Sequence, residues 1–241
     1  MNPRLILKVI VTLVVSASAI PVAAQMTGSR LGKNAGAEDA KAVLDVMVAC
    51  AAKRSPTYVR QIMLSLPGSD REHRLLFSNE SDLSLCMTDR SNRLVLPSNV
   101  ELTMTARQFR IGLSKALAEQ KLQNEGHDGL KMAPKWGLSL YEGDVSSTAK
   151  QDNTLLALYY FGDCVVASNP ADAAAFLLSD AGTTEYSSAW SGLVPSLGPC
   201  VPAGAEIKIT PDTLSVAVAE PIYHRLTRDD SEASEELQVE R

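Results

Sequence analysis

Cys50 and Cys86 stand 36 positions apart, and so do Cys164 and Cys200, so the second pair repeats the first at an offset of 114. The same offset lays Pro56 on Pro170 and Leu64 on Leu178, in the phrases CAAKRSPTYVRQIML and CVVASNPADAAAFLL. After the second cysteine the register changes by nine residues, and Glu101 then falls on Glu206 and Thr105 on Thr210. The difference is a longer loop in the first copy, between Cys86 and Val100. A chain with these coincidences is a tandem duplication of one small unit.

Four cysteines permit three pairings. A bond that each copy makes for itself survives duplication unchanged, which selects Cys50 with Cys86 and Cys164 with Cys200. Each closes a loop that the chain-entropy argument values at about 3 to 4 kcal/mol, so the bonds read as structural. A redox role would need a Cys-x-x-Cys pair or a basic neighbourhood that lowers a thiol pKa. A zinc site would need thiolates, and His73, His127 and His224 do not stand at ligand spacing with the cysteines. The expectation is therefore no metal and no cofactor.

Start signals predict a mainly helical unit. Ser55-Pro56 and Asn169-Pro170 each place a capping side chain before a proline at the first helical position. Thr105 with Gln108 and Ser69 with Glu72 form capping boxes, while Thr210-Pro211-Asp212 starts the counterpart of the Thr105 helix. In the second copy Thr183, Thr184 and Glu185 take the place of the Ser69 signal. Each unit then reads as a helix ending at its first cysteine, a short helix, a third leading to the second cysteine, and a last amphipathic helix. The alternation in Val100–Thr105 and Ala205–Thr210 suits short strands that could pair. Leu44, Met47 and Ala51 in one copy and Leu158, Phe161 and Val165 in the other form equivalent apolar stripes. Tyr159, Tyr160, Trp190 and Tyr223 enrich the second copy in aromatics, as core filling or as a binding groove.

The ends have their own character. Arg4 and Lys8 around the apolar run from Leu5 to Val15, followed by small residues, make residues 1–24 a signal peptide cut after Ala24, in Val22-Ala23-Ala24; Ala17-Ser18-Ala19 is the second choice. The apolar run is short of the roughly 20 residues that span a bilayer, so a stable transmembrane anchor is not expected. Residues 25–36 follow as a flexible segment, 37–121 as the first unit, 122–150 as a linking loop packed by Trp136, Leu138, Leu140 and Tyr141, and 151–227 as the second unit. Asp229, Asp230, Glu232, Glu235, Glu236 and Glu240 make residues 228–241 an acidic, disordered tail. Removal of the signal leaves 21 basic against 28 acidic side chains, a balance opposed to binding nucleic acid.

Reaction motifs are missing: no G-x-S-x-G elbow, H-E-x-x-H, P-loop or G-x-G-x-x-G occurs. A triad assembled in space leaves no such trace, but the three histidines sit in a charged helix start, a glycine-flanked loop and near a helix end, where each reads as a surface residue. Asp39, Asp45, Asp82 and Asp89 read as solvated helix faces. No catalytic residue is assigned.

The phrases LPGSDRE, GDCVVASNPADAAAFLL, LGPCVPAG and AVAEPIYHRL resemble a group of exported alphaproteobacterial proteins, seen especially in sphingomonads, with tandem two-cysteine helical repeats. The resemblance covers about residues 37 to 226 and is strongest in the second copy; the first has Leu85-Cys86-Met87 in place of the Gly-Pro-Cys-x-Pro-x-Gly turn. It implies fold and location only. The expectation for function is a periplasmic or secreted, non-enzymatic binding or scaffold module whose partner is an envelope protein or ligand. The alternatives are an envelope hydrolase with a site between the units or in the loop, and a stress-protective holdase.

Overall fold

The computed structural model describes residues 37–78, 86, 105–132, 137–141, 151–202 and 208–239, without the side chains of 37–40, 77–78, 132 and 228–239. The chain is mainly helical. Among the described residues, the helices before the middle of the chain are α1 (Ala37–Arg54), α2 (Pro56–Leu64), α3 (Asp70–Ser78) and α4 (Ala106–Glu125). After a short α5 (Gly129–Met132) and a 3-10 turn at Leu138–Leu140 come α6 (Asn153–Ser168), α7 (Pro170–Leu178), α8 (Thr184–Cys200) and α9 (Pro211–Val239).

Start chemistry accounts for most of these boundaries. Pro56 and Pro170 open α2 and α7, each nine residues long, although only Asn169 caps with its side chain, accepting from the Asp172 N–H; Ser55 does not. Thr105 and Gln108 form the complete capping box at α4. At α3 the Ser69 hydroxyl accepts from the Glu72 N–H at 3.1 Å, but the Glu72 carboxylate takes the N–H of Gly68, at 2.6 Å, rather than that of Ser69. Gly68 has φ +76, and a Cβ there would stand 2.6 Å from the Asp152 nitrogen, so only glycine suits this turn. Asp152 in turn donates its N–H to the Pro67 carbonyl, caps α6 and pairs with Arg107 at 3.0 Å. The beginning of the second half is thereby docked on a turn of the first.

Both disulfides join the cysteines that the spacing pairs: Cys50–Cys86 with S–S 2.05 Å and Cys164–Cys200 with 1.99 Å. The first ties α1 to Cys86 and the second ties α6 to the end of α8. Helices pack side by side in the order α1, α4, α9, α6; α7 packs on α4, α9 and α6, and α8 on α7 and α6. The last helices of the two halves, α4 and α9, therefore lie against each other at the centre. Ile62, Phe109, Leu113, Val165, Phe176, Leu214 and Val218, drawn from both halves, are buried in one shared cluster.

Three sequence expectations change. Lys208–Thr210 form no strand, and Thr105 serves as the N-cap of α4; the other residues of the two expected strands lie outside the described ones. Thr105 and Thr210 both hold helix-starting roles, with the Thr210 hydroxyl accepting from the Thr213 N–H, which ends any extended run there. Within residues 122–150, α4 continues through Glu125 until Gly126, at φ +75, stops it, and α5 and the 3-10 turn follow; Trp136 lies outside the described residues. Residues 228–239 continue α9, where Glu, Ala and Leu are good helix formers and propagation from a formed helix needs no new nucleus.

The tightest crossing is between α6 and α9. Pro221 lies inside α9 and has no N–H to give the Ala217 carbonyl four residues earlier. Gly162 of α6 packs directly over that carbonyl, and a Cβ at 162 would overlap it. Gly112 of α4 faces α1 in a gentler way, since its Cβ would meet side-chain atoms of Leu44 and Val48 at 3.2 Å. Gly162→Ala should cost about 3 kcal/mol or more, because backbone must move, whereas Gly112→Ala should change stability by no more than about 1 kcal/mol in either direction. Urea unfolding of the two variants checks this contrast, and equal losses would refute it.

Candidate functional site

A buried charge cluster sits where the two halves meet. Arg110, in the second turn of α4, is 0 % exposed and is the largest fully buried side chain of the described residues. Its Nε donates to both carboxylate oxygens of Glu220 on α9, at 3.2 and 3.0 Å, and its Nη2 donates to Glu220 Oε1 at 2.6 Å. Nη1 donates to Glu72 Oε1 of α3 at 2.8 Å and to the Ile62 and Ser65 carbonyls at 3.0 and 2.9 Å, while Nη2 also reaches the Met63 carbonyl at 3.2 Å. These carbonyls lie at the end of α2, where a helix has no intrahelical donors for its last acceptors; that of Ile62 also accepts from the N–H and the hydroxyl of Ser65. A planar guanidinium with five donors is the one side chain that can meet them and two carboxylates together.

Tyr141, from the segment between the halves, closes the cluster. Its hydroxyl donates to Glu220 Oε1 at 2.7 Å, and its ring lies 5.5 Å from the Arg110 guanidinium carbon. His224, one turn along α9 from Glu220, holds Nε2 3.7 Å from Glu220 Oε1, beyond hydrogen-bonding distance, and sets its ring edge-on to Tyr141. Burial alone would raise the Glu220 pKa, but the Arg110 charge outweighs it, with help from His224 and the guanidinium hydrogen bonds, and holds the carboxyl at about 2. Burial pushes Glu72 up, against the charge and hydrogen bonds of Arg110. Burial also works against the charge of Arg110, yet Glu220 and Glu72 keep its pKa well above the ordinary value. Tyr141 is raised well above the ordinary phenol by burial and by Glu220, so it stays a donor.

A second buried pair lies nearer α5. Arg225 of α9 donates from Nε to Asp163 Oδ1 of α6 at 2.7 Å and from Nη1 to the Leu130 carbonyl at 3.3 Å. Asp163, which has no acidic counterpart before Cys50, thus serves the packing of α6 on α9.

Clefts lined by described residues open on the surface. One, of about 210 Å³, is lined by Arg60, Leu64, Ser139, Leu140, Tyr223, His224 and Thr227. Another, of about 370 Å³, lies where α1 and α4 meet α7, α8 and α9, with Phe176 and Leu178 in its wall and Lys41, Lys115 and Asp180 at its rim. Among the described residues, no group of three His, Cys, Asp or Glu side chains is placed to hold a metal ion.

The histidines separate on folding. His73 is exposed and His127 half-buried, but His224 is buried, contrary to its reading as a surface residue near a helix end. The reason is that α9 continues well past it. Asp45 pairs with Lys41 on an exposed face, and Asp39, Asp82 and Asp89 have no described side chains. Of the aromatic set, Tyr159 and Tyr223 are buried while Tyr160 is 48 % exposed, and Trp190 packs on Phe176 with ring centres 5.8 Å apart. Arg110, Glu72 as its partner, Tyr141 as a donor and Glu220 were not singled out by sequence reasoning. One signal was present: Arg110 and Glu220 each stand among apolar neighbours on a helical face, Phe109 and Leu113 in one case and Ala217 and Tyr223 in the other.

Stripping the guanidinium leaves two buried carboxylates facing one another. Arg110→Met should therefore cost about 3 to 5 kcal/mol, and Arg110→Lys should recover little, because an ammonium cannot reach both acids and the α2 carbonyls. Glu220 has a folded pKa below its ordinary 4.5, so its contribution is present above about pH 4.5 and is lost as pH falls towards 2. Glu72, raised instead, contributes in the opposite sense: its share is present below the ordinary carboxylate range and lost as pH rises through its folded value. The stability advantage of the wild type over Glu220→Gln should shrink by on the order of 3 kcal/mol between about pH 5 and pH 2. A flat difference in chemical unfolding over that window would rule this out. No family model, curated protein or solved structure matches the chain.

Proposed function

We propose that the chain is an exported, non-enzymatic binding or scaffold module, made by duplication of a disulfide-stapled helical unit and held in the periplasm or secreted after removal of residues 1–24. The closed state of the Arg110 cluster carries this reading: every donor of the guanidinium has a protein acceptor, and the Glu220 carboxylate is engaged by Arg110 and Tyr141. A guanidinium so engaged supports the packing of four elements and has no donor left for a substrate. Two disulfides fit an oxidising compartment. No helix among the described residues is long and apolar enough to cross a membrane. We also place the chain beside the sphingomonad-type exported proteins with tandem two-cysteine units, on the phrases they share.

The duplication draws support from equivalent packing. Under the two alignment offsets, Val48 and Gly112 correspond to Gly162 and Ala217, and both pairs meet at the crossing of a first helix on a last one. The close approach is kept in each half, with the glycine on opposite partners. Phe109 with Leu214, Leu113 with Val218 and Ile62 with Phe176 are also equivalent and buried.

The hydrolase alternative draws on Ser139 and His224, which line one cleft in front of Glu220. Its weakness is that Glu220 is already committed to Arg110 and Tyr141. A holdase would present a contiguous apolar surface, whereas the exposed large apolar side chains Tyr160, Leu178 and Val194 belong to three different helices.

Passing an envelope extract over the immobilised mature chain should retain a protein or small molecule that a Cys164→Ala/Cys200→Ala variant does not. Retention of nothing, or turnover of ester, amide or glycan substrates that His224→Ala abolishes, would count against the binding reading.

A further inference from the structure

We propose that the 210 Å³ cleft between α2, the 3-10 turn and α9 binds a small organic carboxylate, with Arg60 receiving the carboxylate and Leu64, Leu140 and Tyr223 receiving an apolar body. The inference rests on the reading of the chain as a binding module and names a ligand class for it.

The cleft is rich in unused donors. Arg60 is exposed, carries five N–H groups, and no ion pair or hydrogen bond engages its side chain among the described residues. This sets it apart from Arg110 and Arg225, whose guanidiniums bind buried carboxylates. The Ser139 hydroxyl across the cleft is likewise unengaged by the described residues, whereas Thr227 donates its proton to the Tyr223 carbonyl at 2.7 Å. His224 lines the same wall, and its Nε2, sealed from solvent, has no hydrogen-bond partner and faces Glu220 at 3.7 Å.

Charge at the cleft favours an anion. No acidic side chain lines it. Glu220 lies behind His224, and its charge is met by Arg110 and by the Tyr141 hydroxyl. Arg60 acts on the buried Tyr223 phenol as a positive charge, as does Lys121, which is itself paired with Glu125 at 2.8 Å. A guanidinium and a hydroxyl lining one cleft offer donors that a carboxylate accepts.

Size and lining select the rest of the ligand. A volume of 210 Å³ is below that of a drug-sized pocket and suits a molecule of about ten heavy atoms. Leu64, Leu140 and the face of Tyr223 would leave a bare inorganic anion beside apolar surface, so the acid should carry a short alkyl or aryl group.

Hexanoate and benzoate titrated into the mature, disulfide-bonded chain should shift backbone amide resonances at Leu64, Leu140 and Thr227. Arg60→Gln should raise the Kd at least tenfold and Lys53→Gln should leave it unchanged, with the amide spectrum showing that both variants are folded. Absence of shifts, shifts that survive Arg60→Gln, or equal shifts with inorganic phosphate would each overturn the proposal. Hydrolysis of a hexanoate ester that is lost in Ser139→Ala would instead sink the binding-module reading, and the Arg60 comparison separates the two failures.

Discussion

The guanidinium of Arg110 is the interaction on which the arrangement of the halves depends. It collects carbonyls at the end of α2, the carboxylate of Glu72 at the start of α3 and the carboxylate of Glu220 in the middle of α9, all through direct hydrogen bonds. Apolar packing is non-directional and would tolerate sliding of α4 along α9. A buried ion pair with a fixed fork geometry would not, because any shift leaves a charge unpaired in a medium that cannot solvate it. The net gain in stability from such a cluster is modest, but the penalty for wrong alignments is large, and that difference makes the register of α4 on α9 specific.

The cluster also explains how the two halves become one body. Each disulfide stays within its own half, so neither bond says anything about how the halves meet. The charged residues that join them differ between the aligned positions of the two halves: Arg110 aligns with Ser215, Glu220 with Lys115 and Glu72 with Tyr186. The last helices of the two halves are therefore unlike partners, one carrying the cation and the other the anion. Tyr141, from the segment between the halves, adds a further donor. The Asp152 N–H on the Pro67 carbonyl and the Gly162 approach to the Ala217 carbonyl bind the same elements through backbone contacts.

Much of the local structure was legible because its causes are local. Pro56 and Pro170 begin helices since a proline ring is already set for the first turn, and Thr105 with Gln108 caps by contacts three residues apart. The acidic end misled for the opposite reason: its composition matches disordered segments, but it begins inside an established helix, and extension from a formed end is far easier than nucleation. His224 was misread as well, since burial depends on where α9 is placed and not on the residues beside it.

The mainly helical fold, the pairing of the cysteines and most helix starts are written in the chain itself, because matched cysteine spacing and capping contacts are local features. That Arg110 is buried, that Glu220, 110 positions away, is its counter-ion, and that Arg60 is left facing an open cleft emerge only from the packing of the helices. An arginine in a helix is ordinarily solvated, and its sequence looks the same whether it meets water or a carboxylate. The difference lies in which helices pack together, and that is settled by long-range burial and by the cost of leaving a charge unpaired.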